Sequence, residues 1–206
     1  MIEVNIDLEG INKTYNLPSS WDEVTVEQFI KLYNYKNSSN ELLSAVNLVS
    51  SISDIDPSIL LQMDIDDFKT LANQVKFLST EVNRKDVDYL DLNGDKYYLY
   101  SDFNKLTTGE VITIETILDS ANYDVHKVMA DLLCLFLRKK DENGKYEKFS
   151  TDMLNRKDMF LKLPISEIYH VFGFFLDGRN ISTSNTKDST RNNDQSMTPK
   201  EDLQND

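Results

Sequence analysis

Residues 2–33 read IEVNIDLEGINKTYNLPSSWDEVTVEQFIKLY, and two periods meet inside them. Ile2, Val4, Ile6 and Leu8 alternate with Glu3, Asn5 and Asp7, the period-2 pattern of a half-buried strand. Glu9-Gly10 interrupts it, and Ile11 to Leu17 can return as the second strand of a hairpin. Pro18 then ends ladder pairing, because it carries no backbone N–H. From Thr25 the spacing changes. Thr25 and Gln28 stand at capping-box distance, and Val26, Phe29, Ile30 and Tyr33 line one helical face. A hairpin that hands over to a capped helix predicts an α+β chain.

Helices dominate the chain beyond Tyr33. Glu41 to Ser51 places Leu42, Leu43, Val46 and Val49 inward, and Pro57 suits the first position of a short helix through Met63. Asp64 to Asp67 can cap a further helix carrying Phe68, Leu71, Ala72, Val75 and Leu78. A second β unit interrupts this run: Tyr89 to Leu92 and Lys96 to Tyr100 flank Asn93-Gly94, a dipeptide that tolerates positive φ at both residues. An isolated hairpin is marginal in water, so this one is expected to pair with the N-terminal hairpin in one small sheet.

Thr107 and Glu110 repeat the capping-box spacing and open a helix through about Leu118. Asp124 to Arg138 is expected as the most apolar helix, either central or facing another subunit. Lys139 to Phe149 is a charged loop with Asn143-Gly144 at its tip. Ser150 can cap a short helix to about Phe160, and Pro164 opens a last one that ends at Gly178.

The expected fold class is therefore α+β, mainly α: a helical globular body over residues 1–178 with one or two small β-hairpins, and a polar, flexible C-terminal arm over 179–206. That arm offers only Ile181, Met197 and Leu203 as large apolar side chains, too few to offset the ordering entropy of about 1–2 kcal/mol per residue.

Composition narrows the function classes. The 206 residues hold 22 Lys and Arg against 35 Asp and Glu, a formal net charge of −13. Nucleic-acid and membrane-surface binders draw on basic charge, so neither sequence-specific nucleic acid nor a membrane is an expected partner. The longest apolar run, Leu132 to Leu137, is far short of the roughly 18 residues of a membrane span. The start, Met-Ile-Glu-Val-Asn, lacks the basic and apolar regions of a signal peptide.

The catalytic inventory is thin. A single Cys, Cys134, lies in an apolar run where a thiol is buried and inert. His126 and His170 lack the paired spacing of a metal site, and six Gly leave little for a phosphate cradle. Asp91, Asn93, Asp95 and Asp102 mimic part of a calcium loop, but Lys96 stands where the turn glycine belongs and the hairpin explains them better. Asp54, Asp56, Asp64, Asp66 and Asp67 sit where carboxylates complement helix starts. No cofactor, metal or enzymatic activity is expected. Trp21, the only Trp, reads first as a buried staple between hairpin and helix and second as an interface residue.

Three stretches in order, Leu17-Pro18-Ser19-Ser20-Trp21-Asp22-Glu23-Val24-Thr25 with Gln28, Leu106 to Glu115, and His126 to Ala130 followed by Phe174-Phe175, resemble small virion-assembly proteins of tailed bacteriophages, crAss-like phages in particular. The resemblance covers about residues 17–175. It implies a structural protein without catalytic residues: a ring or connector component at the portal–neck–tail junction, made in the bacterial host cytoplasm and located in the virion. Its partners would be copies of itself in a ring and portal or other neck and tail proteins. The alternative it leaves open is a tail assembly chaperone absent from the mature virion. Interface candidates are Trp21, Phe136, Phe174 and Phe175 and, on the arm, Asn180, Met197 and Leu203.

Overall fold

A computed structural model describes residues 1–8, 11–34, 39–83, 85, 87–171 and 173. The chain is mainly helical with two small antiparallel sheets. Strands β1 (Ile2–Leu8) and β2 (Ile11–Leu17) form the N-terminal hairpin, in register from Ile2 opposite Leu17 to Leu8 opposite Ile11. Its inward residues Ile6, Tyr15 and Leu17 pack on one core with Val46, Val49 and Ile52 of α2 (Glu41–Ser53). Leu60 of α3 (Pro57–Gln62) and Phe68 and Leu71 of α4 (Ile65–Gln74) complete that core. The period-2 face of the hairpin and the helical faces of α2 to α4 therefore bury one another.

Helix α1 (Val26–Tyr33) begins with both halves of its capping box formed: the Gln28 N–H donates to Thr25 Oγ1 at 3.2 Å, and the Thr25 N–H donates to Gln28 Oε1 at 2.9 Å. The segment leading into it is held from three sides. Trp21 is buried edge-on against Phe29 and Phe77, and its indole N–H donates to the Thr80 carbonyl at 3.1 Å. Asp22 accepts from the fully buried Ser166 hydroxyl at 2.7 Å and pairs with Lys85 at 2.7 Å, and Lys85 first, then Ser166, holds its carboxyl below the usual range. The Val26 N–H donates to the Leu163 carbonyl, and the Ile165 N–H donates to the Val24 carbonyl. These bonds clasp the start of α1 to the start of a late helix, α8, formed by residues 165–171.

The mid-chain hairpin turns where expected. Strands β3 (Leu90–Leu92) and β4 (Asp95–Leu99) flank Asn93 and Gly94, whose φ values of 56° and 86° are the left-handed conformations a two-residue hairpin turn requires. Its partner differs from the expectation. The two hairpins do not join; β4 pairs instead with β5 (Leu137–Arg138), Tyr98 opposite Arg138 and Leu99 opposite Leu137. The expected helix over 124–138 is accordingly shorter. Asn122 and Tyr123 take left-handed φ, residues 125–128 form turns, and α6 spans only Met129–Phe136 before the chain enters β5 directly. Sheet pairing of Leu137 and Arg138 overrides their helical spacing. Every residue of α6 except Asp131 is buried, so the helix is central.

Helix α5 (Thr108–Ser120) carries the second capping box, as spaced. The segment after Ser150 starts as a 3-10 turn over Thr151–Arg156 and becomes α7 (Lys157–Leu161), whose Phe160 is fully buried. Asp64 precedes α4 without a capping hydrogen bond from its side chain, a departure from the expected cap.

Trp21→Ala should lower the unfolding free energy by about 3–5 kcal/mol, the range for deleting a buried aromatic, whereas Trp21→Phe should lose far less. Urea unfolding followed by far-UV circular dichroism checks both; equal losses would mean that filled volume at this position does not hold the clasp.

Candidate interaction surfaces

Cys134 and His126 are occupied structurally. Cys134 is fully buried on α6, its thiol donates to the Ala130 carbonyl at 3.1 Å, and burial pushes its pKa up to about 12. Such a thiol is a core side chain, not a nucleophile. His126 stacks its ring flat on Tyr33, beside the Asp124 carboxylate that accepts its backbone N–H. The acidic clusters divide in the same way. Asp56 caps α3 by accepting from the Ser58 N–H and hydroxyl, Asp54 pairs with Lys31 at 2.9 Å, and Asp66 pairs with Lys69. Of the calcium-loop mimic, Asp95 binds Lys139 at 2.6 Å and Asp102 caps a 3-10 turn while pairing with Lys105. Among the described residues no group of three His, Cys, Asp or Glu is placed to hold a metal ion.

Trp21 and Phe136 are buried within the chain itself, so neither presents a surface to a partner; Phe136 packs edge-on against Phe103. Phe174, Phe175, Asn180, Met197 and Leu203 lie outside the described residues.

Two other surfaces carry an organised set of exposed side chains. The first is one face of the β3–β4–β5 sheet. Residues opposite one another in a ladder share a face, so Tyr98, Tyr100 and Arg138 lie together, with Tyr97 and Leu99 on the other side. Inward, Tyr97 packs on Phe160. On the outer face, Tyr89 lies beside Tyr98 at 5.6 Å, and Tyr100 meets Tyr146 edge-on at 5.0 Å. Cations are set over these rings: Lys96 over Tyr89 at 4.3 Å, Lys140 over Tyr98 at 4.3 Å and over Tyr146 at 4.6 Å. The Tyr146 hydroxyl donates to the Leu99 carbonyl at 3.0 Å, tying the Lys139–Phe149 loop to the sheet. Glu147 anchors the same loop. It takes a two-pronged ion pair from Arg156 and accepts the Lys139 N–H at 3.0 Å. Burial raises the Glu147 pKa, but these donors outweigh it and the net shift is downward.

The same face carries a buried ion pair at Arg138. The Arg138 guanidinium stands 4.1 Å from the Tyr100 ring, donates through Nε to the Leu135 carbonyl at 2.8 Å, and donates through Nη2 to Glu110. Both side chains are 4% exposed. Glu110 is also the reciprocal residue of the α5 capping box, accepting the Thr107 N–H. Burial pushes its pKa up, and the Thr107 and Arg138 hydrogen bonds more than offset this, leaving it below the usual range.

The second surface is a groove of about 530 Å³ between β1 and α4. Glu3, Asp7, Asp64 and Asp67 line it together with apolar and neutral polar side chains, and among the described residues no Lys or Arg does.

The capping box of Thr107 and Glu110 was visible in the sequence, but the partner of Glu110 was not, since Arg138 is 28 residues away. The tyrosine face did leave a signal: Lys96, Tyr98 and Tyr100 fall at every second position of one strand and its extension. Compared with known proteins, the chain matches no family model, no curated protein and no solved structure.

Because each charge would be stranded without the other, Glu110→Gln and Arg138→Met should each cost about 3–5 kcal/mol, and the double change much less than their sum. The folded-state pKa of Glu110 is depressed, so its stabilisation is present above the unfolded-state value and is lost as pH falls through the folded one. Urea midpoints measured from neutral pH down through the carboxylate range should show a smaller acid-side loss in the double variant. Additive single effects would refute the coupling.

Proposed function

We propose that this protein is a non-enzymatic structural component of a tailed-phage virion, a ring or connector subunit at the portal–neck–tail junction. The observation that carries the protein-contact part of this reading is the outer face of the β3–β4–β5 sheet. Its tyrosines are held by ring contacts and by the Glu147–Arg156 anchor, and tyrosine is a residue enriched in contact surfaces, while the lysines supply charge. Helix α5 adds Val111 and Ile112, 44% and 61% exposed, next to the same capping box.

The phage assignment rests on the ordered resemblance over about residues 17–175, and those stretches have concrete work in the fold. The first supplies the Trp21–Thr25 clasp, the second the capped start of α5, and the third the turn into α6. Rings built from one chain need two different complementary patches per subunit. An acidic body also suits the wall of a DNA conduit, because it does not hold passing phosphates.

Quantitative mass spectrometry of purified virions should find the protein at the copy number of a symmetric ring. Its absence from virions, with presence in infected cells, would overturn the structural role and favour the assembly chaperone. Removal of residues 179–206 should leave the circular dichroism spectrum of the body unchanged and reduce incorporation into particles; full incorporation would show that the arm takes no part.

A further inference from the structure

Charge is distributed unevenly along this chain. Residues 1–92 carry 16 acidic and 7 basic side chains, whereas residues 138–148 carry five basic and three acidic ones. The fold turns this into two separate surfaces. In the groove between β1 and α4, Glu3, Asp7, Asp64 and Asp67 make no ion pair with any described residue. On the sheet side, Lys96 and Lys140 on the tyrosine face, with Lys145 and Lys148 on the adjoining loop, likewise make none with a described carboxylate. Elsewhere most lysines of the fold do pair, Lys31, Lys69, Lys85, Lys105, Lys139 and Lys157 among them. Among the described residues, four lysines outside any ion pair and a groove of four carboxylates outside any ion pair are complementary in charge.

We propose that the lysine–tyrosine face of one copy docks into the β1–α4 groove of a second copy, a head-to-tail contact between two different patches. The occupant of the groove is thus this chain's own sheet face. A nucleic-acid strand could use the same rings and lysines, but a chain of net charge −13 repels a polyanion, whereas the groove attracts a cationic face. A contact of this kind leaves each terminal copy with one open patch, so it propagates and closes only as a ring. The inference rests on the structural-subunit reading and supplies its contact.

The test is the association state of the full chain by analytical ultracentrifugation. Wild type should self-associate, and raising NaCl from ~50 to ~500 mM should weaken the association strongly, because screening acts on exposed charges. K96Q/K140Q and, separately, D64N/D67N should each weaken it about tenfold or more. E3Q/D7N probes the same groove from β1 and does not touch α4, so a loss of α4 stability in D64N/D67N leaves the groove testable. Mixing K96Q/K140Q with D64N/D67N should give 1:1 dimers that grow no further, because only one intact pair of patches remains. The charge-exchanged chain K96E/K140E/D64K/D67K should associate again.

A wild type that stays monomeric at its solubility limit, or neutralised variants that associate as tightly as wild type, would overturn the contact. So would mixed variants that fail to form dimers. Binding of a fluorescent oligothymidylate that is lost in K96Q/K140Q, with no self-association, would overturn it in favour of a nucleic-acid strand. Each of these results can stand alongside detection of the protein in virions, so the contact can fail while the structural role survives.

Discussion

The hydrogen-bonded clasp between residues 21–26 and residues 163–166 is the constraint on which the rest of the body depends. It joins parts of the chain about 140 residues apart through Ser166 on Asp22 and through reciprocal backbone bonds at Val24, Val26, Leu163 and Ile165. The Ser166 hydroxyl has no solvent to turn to. Ser166 is fully buried, so without Asp22 its hydroxyl would lose its bond where water does not reach, a cost of about 1–3 kcal/mol. Trp21 then fixes the clasp against the end of the α4 segment through Phe77 and the Thr80 carbonyl. The helices between these points have both ends tethered, which suits short helices that would be marginal in isolation.

A second organising pair, Glu110 with Arg138, does for the later half what the clasp does for the earlier one. One carboxylate starts α5 and neutralises the guanidinium that stacks on Tyr100 of the tyrosine face. Buried ion pairs are weak sources of net stability but strict about geometry, since each charge accepts few alternative arrangements. Here that strictness sets where β5 lies against β4 and therefore where Tyr98 and Tyr100 point relative to Lys140.

Legibility in the sequence divides along one physical line, the distance between partners. Hairpin turns at Asn93-Gly94 and capping boxes at Thr25 and Thr107 depend on residues within three or four positions, and their chemistry can be read directly. Asp22 with Ser166, Glu110 with Arg138 and β4 with β5 depend on partners that only the folded chain brings near. The expectation for 124–138 failed for this reason: apolar spacing through Phe136 is helical, but Leu137 and Arg138 answer to a strand elsewhere in the chain. Trp21 is interior, as its first reading had it, and Phe136, an interface candidate, is interior for a related reason. Large rings are drawn first to the core, whereas the outward tyrosines keep a hydroxyl for the backbone or for solvent.

The junction of α6 and β5 carries a mechanical implication. Phe136 ends the helix and Leu137 begins the strand with no residue between them, while the Tyr100 N–H is bonded to the Phe136 carbonyl itself. Helix and sheet are thus spliced like a rod welded to a plate. Axial slip or rotation of α6 would shear the ladder, and a push on the plate is delivered undamped to the most deeply seated rod of the body. Load entering at the rim of the sheet therefore spreads into the interior instead of bending a loop.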